Sequence, residues 1–411
     1  MSDSFGALLS RLQVGLEAAA ARVDVTANGL QTQWSVHSAF MQHALTPDLA
    51  MLQYITSKHR LGLEDITESA KTTWDAAMSM IKLLLTQSLD YSGLINSGAQ
   101  RVQEHLHMLV ERVGNLGSTK PHQTTYTLPT HAKFVLDGKV LPGEVRPLVE
   151  LSNNSFDFFD KVFVRYVDTL TGVLSKLSFD KEFTDEAAVD FSSFNPQTWL
   201  KAAERIEDDD RFRTDADVYR GQPVQGNKAL YAGGPTKTDT EELRDWKFMV
   251  NTARGLSFKL LPVPDLKSDS DSDGVFDTAE LNALKPRLAL LTAVTTRFVA
   301  RKGTEQKLAA SIRKLQAAAE RVRTKAGQIR TPDGKEHDDD EEGAKAPGIP
   351  AVSEIIHDVT LMLHNVNRLA VDYNNAVASQ LRLLGGLVYV ADLELKAYIP
   401  PVQKPTAEKK P

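Results

Sequence analysis

Apolar residues recur at three- and four-residue steps through most of the chain, the period of a helix that buries one face. The longest such stretch covers 350–396, where Ile355, Val359, Met362, Val366, Leu369, Tyr373, Val377 and Leu381 fall on one stripe. A second covers 145–178, with Phe159, Val162, Phe163, Tyr166, Val167, Leu170, Val173, Leu174 and Leu177 in register. Near the start, Phe5, Leu8, Leu9, Leu12 and Leu16 share a stripe, and Thr46-Pro47-Asp48 has the cap and first-turn proline of a helix start. Ile66, Ala70, Trp74, Ala77, Ile81 and Leu84 predict a further helix, and about 94–113 predicts another that ends near Gly114 and Gly117. Residues 278–329 predict one long helix or a close pair, broken near Pro286 and Gly303.

Between these stretches the pattern changes. Residues 124–128 and 132–136 have strand composition, are separated by Pro129, and are followed by an Asp137-Gly138 turn. Residues 228–232 and 256–263 are strand candidates inside a polar stretch rich in Asp, Gly and Pro. Residues 331–350 hold Asp338, Asp339, Asp340, Glu341 and Glu342 among Gly and Pro, which predicts a mobile connector unable to bury apolar surface. The expected fold is therefore mainly α: a helical N-terminal region, a long antiparallel C-terminal helix pair and a small mixed α/β insertion in the middle. The expected divisions are a leader at 1–64, a helical region at 65–178 with a β element near 124–141, the insertion at 179–277, the helix pair at 278–396, and a disordered tail at 397–411.

Composition narrows the function classes. The 411 residues suffice for two or three domains, and the formal charge of −6 gives no global argument for nucleic acid or membrane. The absence of cysteine excludes disulfides, thiolate zinc sites and a cysteine nucleophile. No continuous run of about 18 apolar residues occurs and the first residues lack a secretory pattern, so a soluble protein made in a cytoplasm is expected.

One segment has the spacing of a metal loop. In 269–280, Asp269, Asp271 and Asp273 occupy the first, third and fifth positions of a twelve-residue calcium loop, with Gly274 at the sharp turn. Val275 would offer its carbonyl, Asp277 would bind through water, and Glu280 would close the site with both oxygens. The entering side carries Pro262 and Pro264 and reads as a strand, whereas the exit side reads as a helix, so the Ca2+ expected here is structural. A solvated Asp/Ser linker is the alternative.

Enzyme signals are poor. Gly233-Gly-Pro-Thr-Lys-Thr238 lacks the glycine and the spacing of a phosphate loop and reads as a polar turn. His105 and His107 point to different helix faces, and the shared face of His357 and His364 is explained equally well by packing. Carboxylates fall in solvated runs such as 207–210, not in apolar settings that shift a pKa. The helix around 297–330 is more telling, with ten Lys or Arg against Glu305 and Glu320. Lys307, Lys314 and Arg321 repeat every seven residues, flanked by Lys302, Arg313, Arg323 and Lys325. Leu308, Ile312, Leu315, Ala319, Val322 and Ile329 make the opposite stripe apolar, so one face can pack while the other follows a phosphate backbone. A solvated face paired with 338–342 is the alternative reading. No aromatic residues interleave, which argues against single-strand readout.

Three local texts, Leu61-Gly-Leu-Glu-Asp-Ile-Thr-Glu-Ser-Ala-Lys-Thr-Thr-Trp74, Gln225-Gly-Asn-Lys-Ala-Leu-Tyr231 and Leu384-Gly-Gly-Leu-Val-Tyr-Val-Ala391, together with the general plan over about 40–396, carry a resemblance. The chain resembles the internal head, or inner-body, proteins of giant tailed bacteriophages. The resemblance implies a non-enzymatic virion structural protein in the capsid interior, synthesised in the host bacterial cytoplasm. Its implied partners are packaged double-stranded DNA, other capsid-interior proteins and a head-maturation protease, with no membrane. Such a protease cuts after a small residue, any residue and glutamate; Gly62-Leu63-Glu64 fits and would release the leader. Gly15-Leu-Glu17, Ala202-Ala-Glu204 and Ala318-Ala-Glu320 fit as well, the last two in expected helices. A calcium-responsive interaction module and a cell-wall hydrolase with a structural calcium loop are the alternative functions.

Overall fold

Three helical rods, each close to 45 residues long, set the architecture. The computed structural model describes residues 70–116, 120–129, 135–177, 191–207, 209, 211–212, 216–236, 245–267, 274–329 and 352–399. The chain divides into two units, Met1–Ile66 and Thr67–Pro411; the first lies outside the described residues, and all that follows concerns the second. Helix α1 is Ala70–Gly114, a single helix where the periodicity predicts two. The Ser, Asp and Gly residues at 88–93 lower helix propensity, but their summed cost is small, and the backbone stays helical through them.

After α1 come β1 (Thr125–Thr127), β2 (Val135–Leu136) and β3 (Lys139–Val140). Helix α2 (Arg146–Asp157) runs without interruption through a π-helical segment (Phe158–Phe163) into α3 (Val164–Lys176). Two 3₁₀ turns, Phe191–Phe194 and Pro196–Thr198, lead to β4 (Glu204–Ile206), β5 (Ala216–Arg220) and β6 (Lys228–Thr236). Helix α4 (Asp245–Gly255), β7 (Ser257–Pro262) and β8 (Val275–Asp277) precede α5 (Leu281–Ala300), α6 (Lys302–Ile329) and α7 (Val352–Lys396). The fold is thus mainly α with small sheets in the middle of the chain, as the periodicity predicts.

Contacts give the rods their directions. Gly98 meets Leu381 and Arg112 meets Asp392, so α1 and α7 run parallel. Gln103 meets Thr296, and eleven residues further along α1 Gly114 shares a groove with Lys285, eleven residues back along α5, so α5 runs antiparallel to both. α7 packs most extensively on α1, while α6 packs on α3 and α1 and only marginally on α7. α5 and α6 therefore form one broken rod. The break falls at Arg301, next to Gly303, and Pro286 is accommodated inside α5. Arg301 fixes the break: its guanidinium donates to Asp160 at 2.9 Å and lies over the rings of Phe159 and Phe156 at 4.3 and 4.9 Å.

The middle of the chain packs onto this bundle as an antiparallel sheet in the order β4-β5-β6-β7, with α4 against β6 and α7. Strands β6 and β7 match the two strand candidates; β4, β5 and α4 lie in polar sequence with too short a pattern to announce them. The joint between sheet and bundle is aromatic. Phe258 on β7 stacks on Phe158 at 4.1 Å, with Trp199 at 6.3 Å and Tyr373 of α7 at 6.1 Å. The π-helical turn widens the helix by one residue, and Phe158, Phe159, Val162 and Phe163 within it are all buried. Every residue of the α7 stripe is buried; in the 145–178 stripe only Val173 is partly exposed. One 18-residue window of α7 is apolar enough to cross a membrane, but 67% of it is buried inside the protein, which marks a core helix.

The segment 233–238, expected as a polar turn, is a strand to Thr236. A Cβ on Gly255, at the end of α4, would strike the carbonyl oxygen of Gly234 and the backbone of Pro235 and Thr236. Glycine is needed there because two backbones touch, not because a phosphate is held.

Candidate functional site

The second half of the calcium-type segment is ordered as turn, strand and helix start. Gly274 has φ of +85°, the left-handed conformation the sharp turn requires. Val275, Phe276 and Asp277 form β8, which pairs antiparallel with β1 in the register Thr127, Tyr126, Thr125. Leu128 N–H donates to the Gly274 carbonyl at 2.8 Å, and Thr278 N–H to the Thr124 carbonyl at 2.8 Å. Glu280 immediately precedes α5 and is exposed, as is Asp277. Strand β7 leads toward the segment and α5 leaves it, matching the strand-in, helix-out expectation. Asp269, Asp271 and Asp273 lie outside the described residues, and among the described residues no three His, Asp or Glu side chains gather as a metal set.

The basic helix is α6. Lys307, Arg313, Lys314, Arg321 and Lys325 are exposed, Arg323 is half-buried, and the Lys302 side chain lies outside the described set. Leu308, Ile312, Leu315, Ala319 and Val322 are buried against the bundle. The split into a packed face and a cationic face is therefore realised. Lys325 is partly engaged, donating to the Leu177 carbonyl at 3.1 Å, which ties the ends of α3 and α6 together. The connector at 331–350 lies outside the described residues.

Gly62, Leu63 and Glu64 also lie outside the described residues, as does Gly15-Leu-Glu17. Ala318-Ala-Glu320 sits in α6 as expected, but Ala202-Ala-Glu204 does not sit in a helix. Ala202 is in an exposed turn with φ of +51°, and Glu204 opens the short edge strand β4. The alanines mislead here because the preceding Asn195-Pro196 turn ends in a 3₁₀ helix that stops at Thr198.

Sequence reasoning missed a buried ionic cluster, and the expectation that carboxylates are solvated is corrected by it. Glu394 of α7 is 2% exposed and meets the Arg287 guanidinium of α5 at 2.6 Å. Tyr126 of β1 donates its hydroxyl to Glu394 Oε1 at 3.0 Å. Burial pushes the Glu394 carboxyl above the usual range, while Arg287 and the tyrosine hydroxyl pull it back. Burial, then the charge of Glu394, pushes the Tyr126 hydroxyl up strongly. Asp392, 3% exposed, takes Lys396 at 2.8 Å and Arg112 at 3.3 Å. Asp358 accepts from the Trp246 indole at 2.9 Å, and its burial raises the carboxyl. Each of these carboxylates is occupied by a tertiary partner, and the groove found between α1 and α5 has none of them in its lining. They join elements of the fold. Among the described histidines, His364 is lowered by burial alone and His357 is exposed, which is packing chemistry.

The text Gln225-Gly-Asn227 also finds a structural explanation. Gly226 and Asn227 have φ of +87° and +52° and close a tight turn. Asn227 accepts from Asp137 N–H at 2.9 Å and donates to the Lys267 carbonyl at 2.8 Å, while Gly226 N–H donates to the Val135 carbonyl at 2.7 Å. Three loops are tied by one turn.

A family model of phiKZ-like phage internal head proteins matches residues 55–393 of this chain. No curated protein matches, and no solved structure does.

Proposed function

This chain belongs to the phiKZ-like phage internal head proteins, and from that premise we propose that it is a non-enzymatic structural component that lies beside the packaged genome and contacts it through α6. The family places it inside the phage capsid. The observation that carries the DNA contact is the exposed edge of α6, where Lys307, Arg313, Lys314 and Arg321 stand in solvent opposite a buried apolar stripe. The 28 residues of α6 extend about 42 Å, and a row of cations along such a rod suits a backbone of evenly spaced phosphates. With no aromatic platform and no base-reading motif, the contact is nonspecific in sequence.

The test is binding of the purified protein to duplex DNA over a range of salt. Four neutralised phosphates give a slope of log K against log salt of roughly −3 to −4. Replacing Lys307, Lys314 and Arg321 together by glutamine should flatten that slope by about 3 while leaving the helical signal unchanged. Binding that ignores salt, or a triple variant that binds like the native protein, overturns the assignment.

The same reading includes a structural Ca2+ at 269–280, supported by the left-handed Gly274 and the strand-to-helix exit that follows it. Calcium at about 100 times its dissociation constant should then stabilise the fold by about 2.7 kcal/mol. A rise in melting temperature that a chelator reverses and that Asp271→Asn abolishes is expected; no shift on adding calcium removes the ion from the account.

A further inference from the structure

We draw no further inference here: the strongest candidate, the apolar groove between α1 and α5, is an unpartnered face, and nothing in the structure shows what covers it.

Discussion

Replacing Arg287 by leucine is expected to cost about 3–5 kcal/mol of stability at neutral pH, a large share of what holds a domain folded. The Arg287 and Glu394 side chains are 8% and 3% exposed, so truncation leaves a buried carboxylate without its cation. Glu394 also accepts from Tyr126, which anchors β1, and β1 pairs with β8 just ahead of α5. The loss therefore spreads from one pair to the whole end of the bundle. Its pH dependence has a definite sign. A carboxyl raised in the folded state binds more protons there than in the unfolded chain, so stability falls as pH rises from the usual carboxylate range through the raised value. Without Arg287 the carboxyl moves higher still and the fall steepens. At acid pH Glu394 is neutral in both states, and the gap between native and variant should narrow. Calorimetry at acid and neutral pH reads this directly. The double variant Arg287→Leu with Glu394→Leu should recover most of the loss, because an apolar pair replaces an ionic one. A gap that is constant with pH would show that packing, not charge, sets the cost.

Phe258→Ala is expected to cost about 3–5 kcal/mol. Phe258 is fully buried and its ring stacks on Phe158 at 4.1 Å, within reach of Trp199 and Tyr373. Those rings belong to a β-strand, the π-helical segment, a loop and α7, so one truncation loosens the seam between sheet and bundle. Backbone atoms cannot collapse into the space, since α4 and β6 already touch at Gly255. Hydrogen exchange should show β6 and β7 losing protection before α1 does. Uniform loss of protection across bundle and sheet would instead make the two a single cooperative unit.

Part of this was readable from the residues. The α7 stripe from Ile355 to Leu381 is wholly buried because a long helix with a regular period has only one face to offer the core. The α6 division into apolar and cationic faces follows the same logic. The ionic cluster was not readable. Asp392 and Glu394 sit two apart in an apolar helix, and each is buried with a cation from elsewhere in the chain, Arg112 for Asp392 and Arg287, with Tyr126, for Glu394; only Lys396 is a local partner, one turn on from Asp392. The β1–β8 pairing joins three-residue strands that are about 150 positions apart, and such strands carry no pattern to match. Ala202 shows the converse, an alanine pair that suggests a helix and occupies a turn.

Among the described residues, the sequence by itself determined where the long helices run, which face of each is apolar, where cations concentrate and where a calcium-type spacing occurs, since these depend on neighbours three or four residues away; the short α4 it did not. Only the tertiary structure decided that α1 is one rod, that of the two expected breaks the one near Gly303 is made and the one at Pro286 is not, that α7 lies chiefly on α1, and that Glu394 is buried with Arg287 and Tyr126. These properties depend on which distant surfaces meet, and local periodicity holds no record of that choice.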